Sequence, residues 1–219
     1  MTLRPAQLDA FRDDGYLMIR GLLEPDEAAA LLRVARADGA LAGDAYARKD
    51  ATGGESKLAL RNTLDDKSPY AAVARSARVA GTMSELLGDE VYHYHHKMML
   101  KEPRVGGAWE WHQDYGYWYN FGCLFPDMAS CLIAVDRATR ENGCLEVLRG
   151  SHRLGRVDHG VTGEQVGAGP VRVAAAKERF ELVACEMAPG DGLFFHANLL
   201  HASGKNESDS PRWSLICCY

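Results

Sequence analysis

Up to about Glu90 the apolar residues recur mostly at helical spacing, and beyond it they alternate. In RPAQLDAFRDDG, Leu8 and Phe11 share a face and Gly15 supplies a stop, which predicts a short amphipathic helix. YLMIRGLL then reads as a strand. EPDEAAALLRVARADG carries Pro25, an acidic first turn and a closing Gly39, the start and stop signals of a second helix. From Asp44 to Pro69 periodicity fades into a polar run with Gly53-Gly54 in its middle, read as a loop over a pocket or a long surface connection. AAVARSARVAGTMSELLG predicts one more helix.

VYHYHHKMMLK then opens a series of strand-like runs: MASCLIAV, GCLEVL, FELVACEM, GLFFHANLL and RWSLICCY. ENG, RGSH, APGD and SGKNESDSP punctuate them as turns. Helices first and short strands later predict an α+β chain whose second half is an antiparallel sandwich or barrel. A length of 219 residues with 47% hydrophobic content suits one domain over 1–219, mainly helical over 1–90 and β-rich over 91–219.

Composition narrows the function classes. No apolar run approaches the roughly 20 residues of a membrane span. The charged N-terminus lacks the pattern of a signal peptide, so a cytoplasmic protein is expected. A formal net charge of −5 gives no support to nucleic acid or an anionic membrane as partner. The six cysteines form no C-x-x-C pair and sit inside apolar runs, as small buried hydrophobes do in a reducing compartment.

The candidate chemistry begins at WHQDYGYWYN. In an extended segment residues i and i+2 point the same way, so His112 and Asp114 project together and Gln113 projects away. GLFFHANLLHASG offers a third ligand, His196 or His201. Two histidines and one carboxylate on one face of a metal ion leave positions open, the arrangement of non-haem Fe(II) oxygenases. Arg212 follows His201 by eleven positions across a polar turn, within reach of the same centre if the flanking strands pair. Its planar cation suits a carboxylate, and 2-oxoglutarate has the shape to chelate iron at one end and meet Arg212 at the other.

WHQD, ENGCLEVLRGSH and LLHASGKNESDSPRWS, in that order, resemble the phytanoyl-CoA dioxygenase family of Fe(II)/2-oxoglutarate oxygenases, which includes ectoine hydroxylase. The similarity runs from about Val91 to the C-terminus, with an echo in FRDDGYLMIRGLL. It implies a double-stranded β-helix (jelly-roll) core over 91–219 behind flanking N-terminal helices. It implies iron ligands at His112, Asp114 and His201, with Arg212 on the far carboxylate of 2-oxoglutarate, assisted by Ser203. Trp109 matches an aromatic position packed on the cosubstrate. His95 and Met99 stand where relatives place amide side chains, Met99 toward the cosubstrate. Halogenating relatives lack the facial carboxylate, so Asp114 implies oxygenation. RGSH replaces the family's PGSH, and relatives continue beyond the position of Tyr219, so a further C-terminal segment is expected.

On the strand ending at Lys101, the side chains of His93, His95, Lys97, Met99 and Lys101 share a face. His95 and Lys97 are the expected substrate contacts, with Lys97 and Lys101 as cations for an anionic end. Consecutive His95 and His96 point oppositely, which argues against a second metal site. Trp118 matches a substrate-side aromatic of the family. Tyr117 and its neighbours Tyr115 and Tyr119 pack or cage an apolar or quaternary group. His152 reads as a turn-stabilising residue.

The expectation is therefore a dioxygenase that consumes 2-oxoglutarate and O2 and hydroxylates an unactivated C–H bond of a small, polar or zwitterionic anionic metabolite. An acyl-CoA substrate, a non-catalytic metal- or small-molecule-binding β-helix, and a zinc hydrolase are the competing readings. No pattern in the chain encodes an oligomeric state.

Overall fold

The computed structural model describes residues 2–64 and 67–219. Asp65 and Asp66, within the polar 44–69 run, lie outside the described residues. In chain order, α1 (Pro5–Asp14), β1 (Tyr16–Ile19), α2 (Pro25–Ala37) and α3 (Gly39–Asp44) precede a hairpin of β2 (Tyr46–Lys49) and β3 (Glu55–Arg61). Next come α4 (Pro69–Arg75), α5 (Thr82–Leu87), β4 (His95–Lys101), β5 (Trp109–His112) and α6 (Asp114–Trp118). Then follow β6 (Ala129–Ala134), β7 (Leu145–Leu148), β8 (His159–Thr162), β9 (Gln165–Ala168) and α7 (Pro170–Lys177). The chain closes with β10 (Leu182–Cys185), β11 (Gly192–His196), β12 (His201–Ser203) and β13 (Arg212–Cys218).

The molecule mixes helices with antiparallel sheets. A large sheet runs β1-β11-β6-β13-β4-β3-β2, a smaller one runs β10-β7-β12-β5, and β8-β9 form a separate pair. Strand alternation assigns the large sheet two apolar faces. Met98, Leu100, Cys131, Ile133, Phe194 and Leu215 pack with Phe11, Leu31 and Met83 of the N-terminal helices. Their neighbours Met99, Leu132, Leu193, Phe195 and Ile216 join Cys185 and Val147 of the smaller sheet in a second cluster. The outer face of the smaller sheet, at Leu148 and Leu200, is covered by Val173 and Ala176 of α7. Among the described residues, no helix is long and apolar enough to cross a membrane.

Three expectations change. The polar 44–69 run holds the β2–β3 hairpin, which extends the large sheet through Lys57↔Leu100 and Ala59↔Met98. Its signal was the alternation of buried Ser56 and Leu58 with exposed Lys57, masked by charged outer positions. The single helix over 71–88 is interrupted: Ser76 takes an extended conformation (ψ 146), and its hydroxyl accepts from the Val79 N–H at 3.3 Å to begin a new helical segment. Thirdly, α7 and the β8–β9 hairpin carry too little apolar periodicity to have been predicted.

Candidate metal centre

WHQDYGYWYN is a strand that stops and turns into one helical turn, rather than a strand throughout. Gln113 keeps extended geometry (φ −115, ψ 136) and Asp114 opens α6, so His112 and Asp114 still point to one side. Gly116 permits the tight turn to sit against His159, whose ring would lie 2.2 Å from an added Cβ. The third group arrives by sheet pairing, because β12 places His201 directly opposite His112 on β5.

His112, Asp114 and His201 each offer one ligand atom, all within 4.8 Å of one another, and all three residues are buried. His112 Nε2 is 3.8 Å and His201 Nε2 is 4.0 Å from Asp114 Oδ1. His112 Nδ1–H donates to the Glu110 carbonyl at 2.7 Å and His201 Nδ1–H to the Leu199 carbonyl at 2.9 Å. A carbonyl can only accept, so each ring turns its Nε2 lone pair toward the shared centre, the orientation a metal ligand needs.

Burial, and for His112 the facing His201, holds both imidazoles below their ordinary range, hence neutral. Burial alone would raise Asp114, but Lys97, His201, His112 and the Ser130 hydroxyl outweigh it and hold the carboxyl at about 2. Two neutral imidazoles and an ionised carboxylate form a donor set matched to a divalent cation, with no proton to displace at neutral pH.

Around this centre lie two adjoining cavities that share Lys97, Trp109 and Asp114. The inner one is lined by the three ligand candidates together with Trp109, Met99, Ser203 and Arg212. Arg212 is 4% exposed; its guanidinium donates to Ser214 Oγ at 2.8 Å, while its buried Nε has no partner. No ion pair to Arg212 is found among the described residues. Burial lowers its pKa to about 10, so it stays protonated. A buried guanidinium with no ion-pair partner, beside such a donor set, is chemically suited to receive an anion.

The wider, outer cavity holds His95, Lys97, Tyr117 and Trp118. Tyr117 is less available than expected, since its hydroxyl donates to the Val166 carbonyl at 2.6 Å. His95 stacks edge-on against Trp118, centroids 5.8 Å apart, and its buried Nε2 has no partner. Leu58, Leu60 and Tyr46 of the β2–β3 hairpin form an apolar wall, and Phe121 stands at the rim with 75% of its surface exposed.

Of the two histidines in GLFFHANLLHASG, His201 joins the centre. His196 lies near Phe11 and His152 on the far side of its strand. His152 Nε2 faces the Arg12 carbonyl at 3.0 Å and so ties α1 to the core. Lys101 differs from expectation: it borders neither cavity and instead reaches Ser203 Oγ at 3.0 Å.

The supports of the centre carry no motif in the sequence. Ser130 Oγ donates to Asp114 Oδ2 at 2.7 Å, which leaves Oδ1 facing the histidines. The Gln113 side chain, which points away from the centre, donates to the carbonyls of Gly155 and Asn198 and accepts from the Val157 N–H. His159 Nε2 accepts the Gln113 backbone N–H at 2.9 Å. The one available signal for Ser130 was a hydroxyl inside the apolar run ASCLIAV.

A family model described as Phytanoyl-CoA dioxygenase (PhyH) matches residues 11–214. L-proline trans-4-hydroxylase of Streptomyces griseoviridis is 30% identical over 183 residues, covering 76% of this chain and 68% of the relative. Ectoine dioxygenase of Stutzerimonas stutzeri is 28% identical, covering 97% and 75% respectively. Among solved structures, EctD from S. alaskensis with bound Fe superposes with a TM-score of 0.82 at 27% identity, covering 99% of this chain and 76% of that one. The same protein with 2-oxoglutarate and 5-hydroxyectoine gives a TM-score of 0.81 at 28% identity, covering 99% and 75%.

Proposed function

The chain belongs to the phytanoyl-CoA dioxygenase family, and from that premise we propose an Fe(II)- and 2-oxoglutarate-dependent dioxygenase, built as one domain around a double-stranded β-helix. Its reaction is hydroxylation of an unactivated C–H bond in a small metabolite that carries an anionic group and is polar or zwitterionic. One observation carries the reading. A neutral-His, ionised-Asp donor set and a buried Arg212 with an unpartnered Nε line the same cavity.

His112, Asp114 and His201 would hold the iron, and Arg212 with Ser203 would take the far carboxylate of 2-oxoglutarate. Iron with 2-oxoglutarate and O2 would supply the oxidant, with the cosubstrate converted to succinate and carbon dioxide. The chain's own residues bind and orient. The Glu110 and Leu199 carbonyls fix the two imidazole rings, and Ser130 fixes the carboxylate. Leu132, Leu145, Phe195 and Ile216 keep the inner cavity dry, which strengthens the pull of Arg212 on an anion. Trp109 and Met99 line the same cavity and would flank the cosubstrate, Met99 without a hydrogen bond to offer.

In the outer cavity Lys97 offers the cation for the substrate's anionic end, and the unpartnered His95 Nε2 offers a neutral polar contact. Trp118 and Tyr117 flank the remainder. The relatives named for L-proline and ectoine support a small substrate of this kind. A panel of amino-acid, cyclic-imino-acid, phosphonate and acyl-CoA compounds tests the reading through substrate-dependent succinate release. Coupling with a small anionic metabolite, lost in Lys97→Met while that variant still binds Fe(II) and 2-oxoglutarate, is the expected result. Coupling with acyl-CoA esters alone would contradict it.

A further inference from the structure

Lys101 is a cation that the reading above leaves without a task. It is 2% exposed, and on the β4–β13 ladder its Cα partner is Arg212. Two like charges directly across a strand pair repel each other, and burial intensifies the repulsion. No ion pair to either residue is found among the described residues. Asp50, a carboxylate that favours the charged form of Lys101, makes no ion pair with it and accepts instead from the N–H groups of Thr52, Gly54 and Ala108. Burial and the neighbouring Arg212 both press the Lys101 pKa down. A bound anion would relieve this repulsion and favour the charged form of Lys101.

The hydrogen bonds say how. Lys101 Nζ donates to Ser203 Oγ at 3.0 Å and also to the Gly204 carbonyl, bridging the large sheet to the end of β12. As an ammonium, the form that a bound anion stabilises, Lys101 can only donate. In that form the Ser203 oxygen accepts from Lys101, and its own proton points elsewhere. Ser203 lines the inner cavity together with Arg212, whereas Lys101 does not.

We propose that Lys101 is a positioning residue of the cosubstrate anchor, which turns the Ser203 hydroxyl proton toward the far carboxylate of 2-oxoglutarate and adds a second positive charge behind it. This rests on the oxygenase reading. It makes the anchor selective for a 2-oxo acid with a second carboxylate.

The test is an anaerobic titration of the Fe(II)-loaded protein, following the visible charge-transfer band of chelated 2-oxo acid. It is run on wild type, Lys101→Met, Ser203→Ala and the double variant, with Fe(II) affinity measured separately. Lys101→Met, which keeps the apolar stem, is expected to weaken 2-oxoglutarate by about tenfold or more. Fe(II) affinity and the weak affinity for pyruvate, which lacks a far carboxylate, should stay within about twofold. Because Lys101 acts largely through Ser203, its effect should shrink in the Ser203→Ala background. Should Lys101→Met fail to fold, Lys101→Gln repeats the cycle with the same expected non-additivity. Unchanged 2-oxoglutarate affinity, fully additive losses, or equal loss for pyruvate would overturn the proposal. A wild type that binds no 2-oxoglutarate would overturn the oxygenase reading along with it.

Discussion

At the scale of single residues, the centre is set by which atoms are already occupied. Ser130 takes Asp114 Oδ2 and two backbone carbonyls take the Nδ1 protons of His112 and His201, so the three free atoms converge. Ser130→Ala frees Oδ2 and lets the carboxylate rotate. It is expected to weaken Fe(II) about tenfold, read by competition with a metal-binding dye. An affinity unchanged from wild type would show that the orientation of Asp114 does not depend on that bond. The ligand-type residues were legible in the sequence because HxD and a distal histidine with a following arginine are fixed spacings. Ser130, Gln113, His159 and Lys101 were not, because each acts through a partner at least sixteen residues away in the chain or through buried backbone groups. Lys101 shows the limit well. Strand alternation put it on the correct face, but only the fold reveals that it lies behind Ser203 and not beside the substrate.

At the scale of elements, the β2–β3 hairpin gives the outer cavity one of its walls, and its turn is pinned by one buried carboxylate. Asp50 Oδ1 accepts from the N–H groups of Thr52 and Gly54 and from the Thr52 hydroxyl, and Oδ2 accepts from Ala108 N–H, each at 2.8 Å. Asp50→Ala strands those donors and is expected to destabilise the fold by about 3 kcal/mol, with Asp50→Asn losing less. Thermal unfolding of both variants checks this, and an unchanged melting temperature in Asp50→Ala would refute the pinning role. The strands of the second half could be read from alternation and turn residues. The hairpin could not, because its outer positions are charged and, along its two strands, only Ser56, Leu58 and Ala59 are buried. Ser76 likewise looked like an ordinary helix residue, and only its extended backbone and its bond to Val79 N–H show it as a cap.

At the scale of the whole molecule, histidine burial makes stability depend on pH. All eight histidines have pKa values pushed below the ordinary range, chiefly by burial, with His96 and His196 at about 4 and His95 at about 3. The unfolded chain binds protons at these sites near pH 6.5 while the folded chain does not, so stability must fall as pH drops below about 6.5. Asp114 acts in the same direction, its contribution present above the ordinary carboxylate range and lost as pH falls through about 2. Metal-free protein is therefore expected to have a flat melting temperature from about pH 8 to 7 and a steep decline between about pH 6 and 4. A profile flat through pH 5 would show that the buried histidines titrate as freely as exposed ones. The decline should be smaller with a divalent ion bound, because metal and protons compete for His112 and His201.

The central claim is that His112, Asp114 and His201 hold iron while Arg212 receives the far end of 2-oxoglutarate. The most direct measurement is anaerobic addition of Fe(II) and then 2-oxoglutarate to the metal-free protein, watching for the visible charge-transfer band of the chelate. Asp114→Ala and Arg212→Ala are run beside the wild type. A band is expected in the wild type, lost or strongly weakened in Asp114→Ala, and appearing in Arg212→Ala only at much higher 2-oxoglutarate. No band in the wild type, with zinc held tightly in place of iron, would contradict the central claim.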